Sequence, residues 1–318
     1  MKLPALPIRR TESTEKKTKA RKAMSDSLYG GLLVTPAMIV LLFFGIFPLL
    51  YAINLAFRHV DLTAGPAVPW DFVGLDNFRY ALNSKIFWDA TGRTLYFAVI
   101  SVSLQMVLGI SLAFLINQAK WFKGVIRALI LLPLASAPAA VGMIWRYLYD
   151  SEFGVYNAFL QALGFAPLNW LGDSSIALAS IIIFDVWQWT PFVTLITIAG
   201  LQSLPKEPFE VAALDGASGL MVLRRLTFPL LSPVLTLIFI LRSIDAARLY
   251  DPIATTTRGG PGSVTETVTY LLYRLGLKQF RIDQASAMAL IILFALVVFS
   301  GIVLRRLMRQ QAERARSD

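Results

Sequence analysis

Four side chains that can ionise or make several hydrogen bonds lie inside stretches of sequence that are otherwise apolar. Asp185 and Gln188 are three residues apart in one stretch, and Arg242 and Asp245 are three residues apart in another. Residues at this spacing share one face of a helix, and ionisable groups inside a membrane are costly enough to indicate function. Their donors and acceptors could pair with the hydroxyl groups of a polar solute.

Aromatic residues accompany these polar groups. Trp187 and Trp189 flank Gln188, and Tyr250 follows the second aspartate by five residues. Flat apolar rings stack on the apolar faces of a sugar or polyol. The predicted substrate pathway consists of Asp185, Trp187, Gln188, Arg242, Asp245 and Tyr250. Two simpler explanations remain open: the arginine and its neighbouring aspartate could only neutralise each other, and the tryptophans could form an aromatic belt at the membrane surface.

Other chemistries find no support in the composition. The chain has no cysteine and a single histidine, His59, so we expect neither disulfides nor a thiolate or histidine-rich metal site. It lacks the Gly-x-x-x-x-Gly-Lys-Ser/Thr motif that holds nucleotide phosphates. We therefore expect that the chain is not an enzyme, binds no ATP and carries no cofactor or metal of its own.

Most of the remaining sequence is suited to a membrane. Of the 318 residues, 56% are hydrophobic and 16% are charged, whereas a soluble domain carries about 25% charged residues. Six stretches reach the roughly 20 apolar residues that cross a bilayer. They cover approximately 30–57, 91–116, 124–148, 176–201, 228–247 and 284–307. The predicted fold is an all-α integral membrane protein with six transmembrane helices.

The basic residues predict the orientation of these helices. They raise the net charge to +10 and cluster in the two tails, 1–27 and 308–318, which flank a transmembrane region at 28–307. The positive-inside rule places both tails in the cytoplasm. Loop 248–283 disagrees because it is basic and would lie outside, but the rule counts mainly short loops. No aromatic residues alternate with the basic tails, so nucleic acid is not a predicted partner.

Prolines and turn residues predict two local features. Pro133 and Pro138 fall inside the third stretch, where proline kinks a helix, either to line a cavity or only to adjust packing. After the turn cluster at 257–262, Ser263 and Glu266 match a capping box. Apolar residues then repeat with helical spacing at 268, 271, 272 and 275. We predict an amphipathic helix on the outer membrane surface.

The segment at about 202–228 is too polar to cross a membrane. Pro208 suits the first turn of a short helix, Glu210 lies near its positive end, and Gly216 is a natural C-terminal stop. A second short helix is predicted at 218–226, and Pro229 would then begin the fifth span. An ordinary cytoplasmic helical hairpin would satisfy the same pattern.

The pattern Glu-x-Ala-x-x-Asp-Gly-Ala, followed by Pro-x-x-x-Pro, resembles the signature of permeases from binding-protein-dependent ABC importers. Val211 departs mildly from the alanine that is usual in this family. The residues assigned to contact with an ATPase are Glu210, Ala212, Ala213, Asp215, Gly216 and Ala217. Further segments are similar to the carbohydrate and glycerol-phosphate branch, and to a maltose-type first permease of a pair: 72–78, 186–192, 199–205, 257–262 and 284–287.

This resemblance implies the type I importer fold, with the segment at 202–228 as its coupling loop. It also implies a second, homologous permease subunit, two copies of a cytoplasmic ATPase that bind ATP and Mg²⁺, and an extracytoplasmic solute-binding protein. The complex would import a sugar, polyol or sugar derivative across the bacterial cytoplasmic membrane. The alternative is an ATP-independent secondary transporter or channel, which should show inverted repeats. No such repeat is evident, and the coupling loop would be unexplained.

Overall fold

The structure is a computed structural model that describes residues 30–60, 70–119 and 123–317. The basic N-terminal tail, 1–27, lies outside the described residues. The chain divides into two units, 1–55 and 56–318. The first contains most of helix α1, Gly30–Ala56, which is long and apolar enough to cross a membrane and includes a π-helical turn at Leu42–Ile46.

The second unit contains the remaining elements. Its long helices are α3 (Lys85–Gln118), α4 (Lys123–Ala135), α5 (Pro138–Leu148), α7 (Ala177–Gln202), α10 (Phe228–Ala247) and α13 (Ile282–Ser317). Its short helices are α2 (Asp76–Asn83), α6 (Val155–Ala162), α8 (Glu207–Leu214), α9 (Gly219–Val222), α11 (Asp251–Thr255) and α12 (Val268–Tyr273). Helix α13 continues without interruption through the predicted C-terminal tail.

The third predicted span is a broken helix. Pro133 lies inside α4 and Pro138 begins α5, and the two helices meet at 94°. Ile130 of α4 packs against the cluster around Ile198, near the C-terminal end of α7. On α5, Trp145 stacks on Phe184, nearer the N-terminal end of α7. The two pieces therefore pack against opposite halves of α7, and counting them as one bent crossing raises the membrane-length helices of the described residues from five to six.

Helices α3 and α7 form the centre of the second unit. Buried apolar residues of both helices belong to one cluster, which includes Phe97, Val102 and Ile181. Nearer the other end of α3, Gly109 faces α7 so closely that a Cβ atom there would lie 2.6 Å from Cβ of Val193. Glycine is therefore required at this crossing, because any side chain would push the two helices apart.

A small hairpin follows α1 and is joined to the rest of its unit by polar contacts. Strand β1 (Arg58–His59) pairs antiparallel with β2 (Asp71–Phe72). The Asn77 amide donates to the carbonyl oxygens of Ala56, at 3.1 Å, and Arg58, at 2.8 Å. His59 Nδ1 lies 3.2 Å from the Asp283 carboxylate at the start of α13. The lone histidine is thus paired within the protein.

Helix α12 is present as predicted, but its apolar face is covered by protein instead of being left to contact the membrane surface. Val268, Leu271 and Leu275 are buried in a cluster with Phe87 of α3 and Met288 of α13. The apolar face of α12 is therefore covered by other helices of the same chain. The amphipathic pattern correctly predicted that this face is buried. It could not show whether lipid or protein covers the face.

The predicted capping box is wrong. Helix α12 begins at Val268 with Thr267 as its N-cap residue, whose side chain makes no cap hydrogen bond, and the Val268 N–H donates to Thr94 Oγ1 at 2.8 Å. The carboxylate of Glu266 instead accepts two hydrogen bonds from the guanidinium of Arg274, at 2.6 and 3.1 Å. The backbone carbonyl of Glu266 accepts a third from Arg93 Nε of α3, at 2.9 Å. Glu266 therefore binds two arginines instead of capping the helix.

We predict that Gly109→Ala destabilises the protein whereas Gly92→Ala in the same helix does not. Alanine favours a helix over glycine by about 1 kcal/mol, and a Cβ at Gly92 meets no atom within 4 Å. At Gly109 the clash with Val193 should outweigh this gain, since overpacking costs about 1–3 kcal/mol. The measurement is the thermal unfolding midpoint of each purified variant. Equal midpoints for the two variants would contradict close α3–α7 packing.

Candidate functional site

The polar residues predicted from two separate spans meet in one buried network. Asp185 of α7 and Arg242 of α10 are each 1% exposed, and Arg242 Nη2 lies 3.4 Å from Asp185 Oδ2. The same guanidinium pairs through Nη1 with Asp245, one helical turn further along α10. Arg242 therefore bridges two carboxylates, so its pairing with Asp245 alone does not account for the arrangement.

Two residues of α3 complete the network, and the sequence reasoning missed both. The Gln105 side chain donates from Nε2 to Asp185 Oδ2 at 2.6 Å and accepts from Arg242 Nε at 2.8 Å. Ser101 donates its hydroxyl hydrogen to the same Asp185 oxygen. Both residues are fully buried. Their spacing of four residues on one face of an apolar span was the available signal, because polar residues inside spans usually face partners.

The charges of the network do not cancel. Asp185 and Asp245 are two carboxylates beside a single guanidinium, and a buried charge is tolerated only when it is paired and hydrogen-bonded. Asp185 has three partners in this network, whereas the Asp245 side chain is 51% exposed. With Arg242 paired to the buried Asp185, a negative charge on Asp245 would lie at the exposed edge of the network.

An aromatic ring and an amide adjoin the network. The guanidinium carbon of Arg242 lies 4.3 Å from the ring centroid of Trp189, a cation–π contact. Gln188, on the same turn of α7, is 2% exposed, and its Oε1 accepts no hydrogen bond from any part of the chain that the structure describes. An unpaired buried acceptor is costly, so a donor from a bound molecule would stabilise it.

The other two predicted pathway residues lie in separate aromatic clusters. Trp187 is half-exposed and packs against Trp145 of α5 at 5.5 Å. Tyr250 stacks with Tyr270 at 6.1 Å and contacts the edge of Tyr273 at 5.2 Å. The structure therefore joins Asp185, Arg242 and Asp245 directly and places Gln188 beside them. It does not bring Trp187 and Tyr250 into the network, and contact of any of the six with a substrate stays a prediction.

The predicted coupling segment forms two short helices, α8 and α9, joined by a turn at 215–218. We call this surface feature, residues 207–222, the elbow. Helix α8 has Pro208 in its first turn, as expected, and carries Glu207 and Glu210 there. Gly216 ends the turn after α8 with a positive φ of 68°, a conformation that favours glycine. A groove of about 450 Å³ runs along the elbow. Its lining includes Ala212, Asp215, Gly216, Ala217, Met221 and Arg225.

Side chains around this groove are small or exposed. Glu210, Ala213, Asp215 and Gly216 are exposed, and the side chain of Leu214 is 89% exposed. Val211 and Leu220 are also exposed, so the elbow combines the groove with three exposed apolar side chains that a partner could cover.

The second short helix differs from its prediction. Helix α9 begins at Gly219, and Ser218 caps it by accepting from the backbone N–H of Met221 at 3.4 Å. A π-helical turn, Leu223–Thr227, follows and runs directly into α10. Pro229 does not restart the chain, because proline in the first turn of α10 leaves a continuous helix. One side of the groove, including Met221 and Arg225, consequently lies on the same uninterrupted helical segment as Arg242.

Comparisons with known proteins agree with this architecture. Residues 105–316 match the family model described as "Binding-protein-dependent transport system inner membrane component". A probable ABC transporter permease protein of Sinorhizobium fredii, y4oQ, is 41% identical over 86% of this chain and 87% of that protein. The trehalose/maltose transport permease MalF of Thermococcus litoralis is 39% identical over 78% of this chain and 83% of its own length. The sulfoquinovosyl glycerol permease SmoG of Agrobacterium fabrum is 30% identical over 90% and 92%.

A solved structure shares the fold. One chain of a bacterial ABC transporter involved in the import of the acidic polysaccharide alginate superimposes with a TM-score of 0.77, at 20% identity, over 92% of this chain and 99% of that one. The family match, residues 105–316, covers the elbow and every residue of the network except Ser101. The chain therefore belongs to the family of binding-protein-dependent transport system inner membrane components, and it is a multi-pass permease subunit of an ABC transporter.

Proposed function

We propose that this chain is the permease subunit of an importer for a sugar or sugar derivative, driven by ATP hydrolysis in a separate subunit. Relatives with names that specify trehalose, maltose and sulfoquinovosyl glycerol support the substrate class. The observation that carries the proposal is the exposed elbow with its 450 Å³ groove, since a channel or secondary transporter would have no use for such a docking surface. ATP and Mg²⁺ would bind to the partner ATPase.

The complex would also contain a second homologous permease, two ATPase copies and an extracytoplasmic solute-binding protein. A solved relative in complex with an alginate pentasaccharide-bound periplasmic protein supports the last of these by analogy. The membrane would be the bacterial cytoplasmic membrane. Both termini would be cytoplasmic, because an even number of spans returns the chain to its starting side and the tails are basic.

The continuous helix from α9 to α10 provides a route from the ATPase to the substrate. Gly219 and Arg242 are 23 residues apart, or about 35 Å along a helix at 1.5 Å per residue. A helix of this length transmits a displacement of one end to the other, so movement of the elbow would move Arg242 against Asp185 and Gln105. The ATPase-docking surface and the substrate pathway would then lie at the two ends of one rigid helix.

Within the pathway, the buried and half-exposed groups have different roles. Asp185 and Arg242 are saturated by protein partners, so we assign them to positioning. The exposed carboxylate of Asp245 is available to accept hydrogen bonds from sugar hydroxyls, whereas the unpaired Oε1 of Gln188 is buried and would be reached only after the helices move. The Trp189 ring, fixed by the Arg242 guanidinium, supplies the apolar wall beside them.

We predict that Arg242→Gln lowers stability strongly, because it leaves Asp185 buried and without its cation, a loss of about 3–5 kcal/mol. Adding Asp185→Asn should recover most of this loss, since no buried charge then remains. Both variants should fail to transport. Thermal unfolding of the purified protein measures the first effect, and uptake of radiolabelled sugar into proteoliposomes measures the second. Unchanged uptake in both variants would reject the site.

Asp245→Asn tests direct contact with the substrate. The variant should fold with nearly the parental unfolding midpoint, because Asp245 is half-exposed, yet its apparent KM for transport should rise by about tenfold if one hydrogen bond worth about 1.4 kcal/mol is lost. Asp76→Asn is the matched control, because this aspartate pairs with Arg79 on an exposed helix. An unaltered KM in Asp245→Asn would show that the carboxylate does not contact the sugar.

The elbow can be tested by cross-linking, because the chain has no native cysteine. Ala213→Cys, labelled with a photoactivatable maleimide, should capture the ATPase subunit in the assembled transporter. Gln161→Cys, exposed in α6 on the outer side, should not. The readout is the mass of the cross-linked product. If Ala213→Cys captures no ATPase in a complex that still transports, the assigned coupling surface is incorrect.

A further inference from the structure

An uncharged segment of the outer loop exposes large apolar side chains. Between Glu152 and Asp173 the chain has no charged residue, and this segment contains the short helix α6. Phe153 is 88% exposed, and Phe159 and Phe165 are each 63% exposed. Val155 and Leu163 are exposed as well, and their four-residue spacing from Phe159 places the three on one helix face. Contiguous apolar surface of this size marks a contact surface on a protein.

The opposite face of α6 is held against the rest of the protein by hydrogen bonds and ring packing. The exposed face therefore points away from the protein. Asn157 is 1% exposed. Its Nδ2 donates to the Leu168 carbonyl at 2.9 Å, and its Oδ1 accepts from Leu168 N at 3.0 Å and from Trp170 Nε1 at 2.9 Å. Tyr156 packs against Trp145, Tyr149 and Trp170. These contacts therefore occupy one face of α6.

Helix α6 lies beside a helix that already belongs to a membrane crossing. Helix α5 presents Met143, Ile144 and Tyr147 as exposed side chains, and it forms the outer half of the third span. Because Tyr156 of α6 packs against Trp145 of α5 at 5.6 Å, the two helices are neighbours and each leaves apolar side chains exposed. A bilayer is the covering medium expected for neighbouring apolar surfaces of this kind.

Charges mark the two ends of the segment. The carboxylate of Asp150 accepts backbone N–H bonds from Phe153 and Glu152, each at 2.9 Å, and these bonds lower the pKa of Asp150. Asp173 accepts from the backbone N–H and hydroxyl of Ser175, which lower its pKa as well. Both aspartates are ionised at neutral pH and require water, which limits burial to the intervening apolar face.

We propose that α6 is an interfacial helix that inserts Val155, Phe159 and Leu163 among the acyl chains of the outer leaflet. The flanking Phe153 and Phe165 are exposed as well and would add apolar area buried together with this face. The helix thereby anchors the outer end of the broken third span, whose kink at residues 136–137 leaves α5 without a straight continuation from α4. This assignment does not depend on which solute is carried.

Single-cysteine labelling of the complete transporter in lipid nanodiscs tests this proposal. An environment-sensitive fluorophore would be attached to Val155→Cys, Phe159→Cys and, as the matched control on the edge of the same helix, Gln161→Cys. Lipids brominated on the acyl chains should quench the labels at 155 and 159 about threefold more than the label at 161. Aqueous iodide should show the reverse order.

Three results would overturn the proposal. Iodide quenching at 155 and 159 equal to that at 161 would place the helix in water. Protection of both positions from lipid and iodide alike would mean that the second permease covers the face. Absence of lipid quenching in the resting complex, with iodide quenching that disappears only when the solute-binding protein is added, would identify that protein as the occupant.

Discussion

The ion pair between Asp185 and Arg242 is the interaction on which the central part of the structure depends. It joins α7 to α10 in an apolar environment, and Gln105 of α3 bonds to both partners. An isolated charge at this depth would be expelled or neutralised, so the three helices must remain in register for either charge to be tolerated. This requirement explains why the pair specifies an arrangement of helices rather than simply adding stability.

The ion pair is also connected to the coupling segment, because both share one helix. Arg242 lies on a helix that begins at Gly219, beside the groove of the elbow, and continues through a π-helical turn. Displacement of that helix would change the distances from Arg242 to Asp185 and Gln105 together. A network with several discrete partners can rest in more than one arrangement, which is the property that an alternating-access transporter requires.

Glycine and proline determine how closely the helices around this network pack. Gly109 permits the approach of α3 to α7, and the prolines at 133 and 138 divide the third span. The break lets α5 turn across α7 and carry Trp145 onto Phe184. It also brings Gly142 of α5 against Thr255 of α11, so backbone geometry, rather than side-chain bulk, sets these contacts.

The sequence alone determined the six crossings, the broken third span, the elbow and the polar residues Asp185, Arg242 and Asp245, because hydrophobic length, proline and buried charge act locally. Tertiary structure decided which partners those groups find. It recruited Ser101 and Gln105, separated Trp187 and Tyr250 into other clusters, and buried the face of α12 against protein. Spacing along a chain reports which side of a helix is apolar, but the identity of the covering surface depends on residues far away in sequence.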